Sequence, residues 1–351
     1  MTGSSDSAYR AAGVSIDAQD AALAEVKELV ASTATPGVLS ELGSFGGLFR
    51  PSLAGFEEPV LVASADGVGT KLTVARLAGD FATVGRDLVN HCVNDVLVQG
   101  AVPLFFLDYV GAGVLEPAAV VELVRGVAAG CRDNGCALLG GETAEMPGFY
   151  QAGDYELVGF IVGLVDRPAL IDGSRVRAGD VLVGLPSAGL HTNGYSLARR
   201  VFLGELGLGL EDPVPGLGAT PLGDHLLAPH LSYLGAVRPL LGRPALHAMA
   251  HVTGGGLTDN LPRVLPPGLS ARVDLGAWEV PGIFRVLAAH GRVAGKEMLR
   301  VFNMGIGFVL VVEPAAVAAV RAELGGGASF VIGAVEEGEG GVVYEGGTGD
   351  A

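Results

Sequence analysis

The chain has 351 residues, of which 49% are hydrophobic and 17% charged, with a formal net charge of −16. That apolar content argues against bulk disorder, and the length suggests about two domains. The acidic balance disfavours a general nucleic-acid binder, although a phosphate-bearing small molecule can still be held by a local nest, a lysine or a metal.

The three cysteines, Cys92, Cys131 and Cys136, form neither a disulfide framework nor a zinc spacing. The opening MTGSSDSAYR lacks a basic region followed by an apolar run. The apolar runs, such as Val102 to Val114, are interrupted well short of a membrane span. A soluble, cytoplasmic protein is expected.

Periodicity predicts a helix over Asp17 to Thr33 and a strand over Val60 to Ala65 that runs into DGVGTK. A helix follows over Gly85 to Gly100, then a strand over Pro103 to Val110. The next helix, Glu116 to Asn134, has Pro117 in its first turn and Gly135 as a stop. A short strand, Ala137 to Leu139, leads into GGETAEMPG, and Leu157 to Val165 is a further strand. Asp166 to Asp180 carries Pro168, Gly173 and several charges between apolar runs, and reads as a boundary.

Beyond it come a strand Val181 to Leu185, the loop SAGLHTNG and a helix Tyr195 to Leu206. Helices are expected around Thr258 to Val264 and from Gly282 to His290, with strands near Ile306 to Val312 and Phe330 to Val335. The Gly/Glu-rich tail from Glu336 to Ala351 should fray at its end. Strands and helices mix in both halves without a strict βαβ rhythm, so the fold class is α+β.

Five segments can carry chemistry. In Ser64 to Leu72 a strand delivers the carboxylate Asp66, then Gly67, Gly69, Thr70 and Lys71. Backbone N–H groups at glycines, a cation and a carboxylate suit phosphate and Mg²⁺, although the spacing is not a Walker A loop. The plainer alternative is a β-turn with a surface lysine. In the helix GRDLVNHCVNDVLVQGA, Asp87, His91, Asn94 and Asp95 share one face. Such a face suits a Mg–nucleotide site, and the alternative is a solvated stripe.

LLGGETAEMPG places Glu142 and Glu145 after a double glycine, as metal ligands, acid and base, or merely helix-capping groups. PSAGLHTNGYS offers His191, Thr192 and Asn193 before a helix, where an anion or a plain N-cap fits. HVTGGGLTDN sets Gly254, Gly255 and Gly256 before another helix, again with a phosphate-binding reading. There Asp259 is a ligand or simply a first-turn carboxylate.

Together Tyr9-x-x-Ala-Gly-Val14, DGVGTK, VNDVLVQGAVPLFFLDY, GGETAEMPG, HTNGYSLAR, HVTGGGLTDN and FNMGIG resemble, in that order, the phosphoribosylformylglycinamidine cyclo-ligase family. The resemblance spans roughly residues 9 to 335. DGVGTK alone points only to the wider superfamily, whereas NDVLVQGA, FFLDY and GGETAEMPG together are far more specific. Selenophosphate synthetases are disfavoured because no cysteine precedes Cys92, and the hydrogenase-maturation relatives because the chain ends TGDA. Thiamine-monophosphate kinases lack GGETAEMPG. A non-catalytic nucleotide-binding protein on the same scaffold is the reading from a different class. It is disfavoured by the survival of Asp66, Lys71, Asp95, Glu142 and His191.

The resemblance implies ATP-dependent closure of the formylglycinamidine ribonucleotide to aminoimidazole ribonucleotide. It implies two α/β domains, 1–171 for ATP binding and dimerisation and 172–351 as an α/β sandwich completing the cleft. The N-terminal sheets would pair in a homodimer, with ATP and Mg²⁺ near that interface. Asp66, Gly67, Gly69, Thr70, Lys71, Asn94 and Asp95 would serve the nucleotide. Asp66, Asp95 and, third, Glu142 would serve the metal. Lys71, His191 and Glu142 would be catalytic, with His191, Thr192, Asn193 and Gly254 to Gly256 on the ribonucleotide.

Overall fold

The computed structural model describes residues 16–41, 43–325 and 328–346. The motif at Tyr9 to Val14 and the end of the tail therefore lie outside the described residues. Two sheets organise the chain. The first has the order β1-β4-β2-β3, built from β1 (Pro59–Gly67), β2 (Val102–Ala112), β3 (Ala137–Glu145) and β4 (Tyr155–Asp166). β4 is antiparallel to both β1 and β2, whereas β2 and β3 are parallel. Such a parallel pair needs a crossover, which the helix Pro117–Asn134 supplies.

The second sheet has the order β10-β7-β9-β5-β8-β6. Its strands are β5 (Val181–Pro186), β6 (Leu246–His251), β7 (Leu269–Asp274), β8 (Ile306–Val312), β9 (Phe330–Glu337) and β10 (Val342–Glu345). All of β8 is buried, and its sequence IGFVLVV is accordingly an unbroken apolar run. The fold is α+β, with one sheet in each half.

Among the described residues, four helices serve the first half: α1 (Ile16–Ala31), α2 (Lys71–Ala78), α3 (Ala82–Leu97) and α4 (Pro117–Asn134). α3 packs on β1, β2 and β4, on α4, and on the short helix Leu234–Val237 of the second half. The α3–α4 crossing is close because glycines stand there. A Cβ at Gly126 would lie 2.0 Å from the Ala82 carbonyl oxygen, and one at Gly85 would lie 2.3 Å from that of Leu123. Glycine inside a helix costs roughly 0.5–1 kcal/mol relative to alanine, and here it admits a backbone approach that no side chain permits. One apolar core runs from Val62, Leu88 and Val96 through Val237 to Leu310 and Val312, so the two halves share a continuous interior.

Several elements differ from the sequence reading. The expected loop after Asp66 is a turn followed at once by α2, so Lys71 opens a helix. GGETAE lies inside β3, where Glu142 pairs with Tyr109 of β2, so it is not a helix cap. The expected helix Tyr195 to Leu206 is α-helical only to Arg199 and continues as a π-helical turn, Arg200–Glu205. The helix expected at Thr258 begins at Gly256 and tightens at Leu261, where Pro262 lacks the N–H that an α-turn needs. Strands β6, β7 and β10 are additional to the sequence reading. Among the described residues no helix is long and apolar enough to cross a membrane.

Candidate active site at the seam of the two halves

α3 carries its polar stripe along the seam. At one end the stripe is closed. Lys71 Nζ lies 2.6 Å from Asp87 Oδ2, with both side chains wholly buried, and donates to the Ala228 carbonyl at 2.8 Å. Asp87 also accepts from the His230 backbone N–H at 2.7 Å. Burial raises the Asp87 carboxyl above its ordinary range, against the pull of Lys71. Asn94 is similarly engaged, donating to the Leu231 carbonyl at 2.8 Å and accepting from the Tyr233 N–H at 2.9 Å. The expected phosphate contacts would require Lys71 to leave Asp87 and Ala228, and Asn94 to leave the second half.

At the other end the stripe opens into a cleft of about 460 Å³ lined from both halves, by Ser64, Asp66 and Asp95 on one side and His251, Asn260 and Arg263 on the other. Asp66 sits at the end of β1, with its side chain 45% exposed, and Asp95 on α3 with 25%. Asp66 accepts from the Gly67 N–H at 2.7 Å and bonds His91 Nε2 at 2.8 Å. Asp95 accepts from the Ser64 hydroxyl at 3.0 Å and bonds His251 Nδ1 at 2.9 Å. Burial pushes both carboxyls up. The histidine partners, with Gly67 or Ser64, outweigh it and hold both below the ordinary carboxylate value. Two ionised carboxylates facing one cleft are hard oxygen ligands of the kind Mg²⁺ takes alongside substrate phosphates.

Thr70, Thr192 and Asn193 are brought together in a second opening of about 700 Å³, with Gly69, Arg200 and Glu297. The Thr70 and Ser196 hydroxyls meet across it at 3.2 Å. Glu142 stands elsewhere. It lines a largely apolar cavity of about 850 Å³ formed with Leu23, Phe45, Leu107, Asp108 and Phe160. The three carboxylates expected at the metal thus divide, Asp66 with Asp95 and Glu142 apart.

His191 is wholly buried, at φ 61°, a left-handed conformation uncommon for a side chain of this size. Its ring stacks on His230 with centroids 4.2 Å apart, and its Nδ1 has no hydrogen-bond partner among the described residues. Burial, reinforced by neighbouring cationic groups, holds its pKa well below the ordinary histidine value. The triple glycine has a packing reason as well. A Cβ on Gly256 would lie 2.1 Å from the Leu299 carbonyl oxygen, and Gly255 and Gly256 both have positive φ.

Sequence reasoning missed Arg263 and Arg200, the cations that line the two openings, and His230. Each stands outside any glycine-rich motif, in segments such as APHLSYL whose role is visible only once the halves are docked.

Comparison with known proteins places this geometry in a family. The family described as "AIR synthase related protein, N-terminal domain" matches residues 52–165, and its "C-terminal domain" counterpart matches residues 177–345. The phosphoribosylformylglycinamidine cyclo-ligase of Desulfitobacterium hafniense (strain DSM 10664 / DCB-2) is 52% identical over 338 residues, covering 96% of this chain and 98% of that protein. The enzyme of that name from Geobacillus kaustophilus is 48% identical over 342 residues, covering 97% and 98%.

Among solved structures, E. coli HypE aligns with a TM-score of 0.67 at 20% identity over 93% of each chain. Thiamine-monophosphate kinase from Stenotrophomonas maltophilia K279a aligns at 0.62 and 19% identity over 91% of this chain and 95% of that one. At those identities the structures speak for the fold alone. With relatives about half identical over nearly its whole length, the chain belongs to the phosphoribosylformylglycinamidine cyclo-ligase family.

Proposed function

We infer that this chain performs the reaction for which its family is named. It is an ATP-using cyclo-ligase of purine biosynthesis that closes formylglycinamidine ribonucleotide into aminoimidazole ribonucleotide and releases ADP and phosphate. The observation that carries the reading at the level of the site is the joint placement of Asp66 and Asp95. Two carboxylates from separate elements of the first half face a cleft that the second half closes with His251 and Arg263.

Ring closure needs an amidine nitrogen to attack the formyl carbon and expel its oxygen, which is a poor leaving group in neutral water. ATP removes the difficulty if the formyl oxygen first attacks the γ-phosphorus and the nitrogen then displaces phosphate. One hard step becomes two easier ones. Asp66 and Asp95 would hold Mg²⁺, which supplies charge stabilisation at the transferring phosphoryl group. Their ionised state, maintained by His91 and His251, fits that role. Arg263 and Arg200 are placed to receive phosphate oxygens at the two openings. Thr70, Thr192 and Asn193 would take the ribonucleotide between them. His191 would reach substrate only if the seam parts, and its unpartnered Nδ1, which carries the ring proton because Nε2 accepts from the Ala188 N–H at 3.4 Å, is then the free donor. Lys71 acts by holding α2 and Asp87 in register behind the cleft.

The first sheet also carries an outward apolar face. Leu61 is 63% exposed and Phe160 46%, on adjacent antiparallel strands. A second copy covering that face would give the homodimer, in keeping with residues 1–171 acting in dimerisation and 172–351 in completing the cleft. An exposed apolar face on a sheet supports an association surface there. Leu61→Asp should yield a monomer in sedimentation, and an unchanged mass would remove this face from the interface.

The reaction order is tested by labelling the formyl oxygen with a heavy isotope. The label is expected in inorganic phosphate. Label found only in water, with unlabelled phosphate, would rule out the phosphorylated intermediate.

A further inference from the structure

Behind the cleft, six groups are joined in a row: Asp66, His91, Thr192, His230, His251 and Asp95. The links are Asp66 Oδ2 to His91 Nε2 at 2.8 Å, His91 Nδ1 to Thr192 Oγ1 at 2.9 Å, and Thr192 Oγ1 to His230 Nδ1 at 3.2 Å. His230 Nε2 then meets His251 Nε2 at 3.0 Å, and His251 Nδ1 meets Asp95 Oδ1 at 2.9 Å. The Asn94 side-chain amide also donates to His230 Nε2, at 3.3 Å. The row lies in a seam where His91, His230 and His251 are 3%, 0% and 6% exposed.

Three imidazoles brought together suit a divalent transition ion. The imidazole nitrogens of His91, His230 and His251 lie within 4.8 Å of one another. Three nitrogens bound to one tetrahedral ion at about 2.1 Å stand roughly 3.4 Å apart; His230 Nε2 and His251 Nε2 already stand 3.0 Å apart, and the third nitrogen lies within 4.8 Å of them. The outer nitrogen of each ring is already held: His91 Nε2 by Asp66, His251 Nδ1 by Asp95 and His230 Nδ1 by Thr192. Carboxylate or hydroxyl acceptors on the far ring nitrogen are what fix tautomer and direction in metal-binding histidines. With those three N–H groups donating outward, each ring keeps one nitrogen lone pair: His230 Nε2 and His251 Nε2 face each other at 3.0 Å, and His91 Nδ1 has to turn from the Thr192 hydroxyl to join them.

We propose that His91, His230 and His251 form a binding site for a borderline divalent transition ion such as Zn²⁺ or Co²⁺, adjoining the carboxylate-lined cleft through His251 and tying the two halves together. His91 belongs to α3 of the first half, and His230 and His251 belong to the second. Three nitrogen ligands select such ions over Mg²⁺, which prefers oxygen. The site is independent of the proposed ring closure, because its readout is binding rather than turnover. Asp66 and Asp95 keep outward lone pairs for a hard ion in the cleft while their inner oxygens orient the histidines.

The test uses the full-length chain without a histidine tag, stripped with a chelator and titrated with Co²⁺. One equivalent should bind and give the intense visible absorption of a four-coordinate ion. Zn²⁺ should displace it, and excess Mg²⁺ should not. His230→Gln should weaken Co²⁺ binding by about 100-fold or more, since it removes a ligand where even outer partners are worth 10–100-fold. No absorption band, or the same band and affinity in His230→Gln, would overturn the site. Should that variant fail to fold, X-ray absorption on the Zn²⁺-loaded wild type decides. A shell with three imidazole nitrogens is expected, and an oxygen-only shell would overturn the site.

Discussion

Asp87 and Asp95 stand eight residues apart on one face of α3, and they have opposite fates. Asp87 is wholly buried and meets a wholly buried lysine, whereas Asp95 is a quarter exposed and meets a histidine across an open cleft. The stripe that carries both has the same residue types throughout. What separates them is depth, set by how closely the second half lies over α3: the segment from Ala228 to Tyr233 covers Asp87 and Asn94, and beyond it the cleft opens. The closed end should therefore answer to mutation in stability, and the open end in turnover.

The largest effect is expected at the closed end. Lys71→Met leaves Asp87 buried without its cation, and breaking one partner of a buried pair costs about 3–5 kcal/mol. Urea unfolding should show that loss, and Lys71→Met combined with Asp87→Leu should recover much of it. If Lys71→Met instead keeps full stability and loses only turnover, the contrast between the two ends fails and Lys71 belongs with the chemistry.

Asp108 sharpens the same contrast. It is a buried carboxyl beside the apolar cavity, and burial alone pushes its pKa up to about 7 from 3.8. The folded state thus favours the protonated form. The stability this contributes is fully present below pH 3.8 and is lost as pH rises to about 7. Asp108→Asn mimics the protonated form at every pH. It should match wild type near pH 4 and exceed it above pH 7, by up to about 4 kcal/mol at 1.36 kcal/mol per pH unit. Parallel stability curves for the two proteins between pH 4 and 8 would show that Asp108 has a charge partner after all.

The strands and helices of the first half were largely legible in the sequence, because β-branched alternation, Pro117 and Gly135 each act locally. The polar stripe on α3 was legible too, since helical spacing alone puts Asp87, His91, Asn94 and Asp95 on one face. Their division into clasp and cleft was not, because it depends on residues more than 130 positions away, such as His230 and Tyr233 against Asp87 and Asn94. For the same reason Lys71 read as a loop cation. The residues just before it are glycine and threonine, and its partners Asp87 and Ala228 are neighbours only in space. β6, LHAMAH, escaped notice because it has no β-branched residue and is a strand by burial alone.

At the open end, Asp66→Asn should lower kcat/KM by about 100-fold, roughly 2.7 kcal/mol, the scale of removing one preorganised electrostatic group from a transferring centre. Raising Mg²⁺ should recover part of the loss. Its half-exposed position should keep the change in unfolding free energy below about 1 kcal/mol, the usual worth of an exposed ion pair. A Mg²⁺ dependence identical to wild type would remove Asp66 from the metal.

The smallest effect, and the finest test of the contrast, concerns Ser64. Its hydroxyl donates to Asp95 Oδ2 at 3.0 Å from the middle of β1, and it touches neither Lys71 nor Asp87. If the open end works by keeping Asp95 ionised and aimed, Ser64→Ala removes one of the two named supports and leaves the other, His251 Nδ1, in place. A single hydrogen bond is worth about 1 kcal/mol, so kcat/KM should fall only about fivefold, with the Mg²⁺ requirement shifted to higher concentration. Ser64→Thr keeps the hydroxyl and should restore most of the activity, which a purely steric role would not allow. A Ser64→Ala enzyme that loses stability while keeping its Mg²⁺ dependence would mean that the open end, like the closed one, is held for folding.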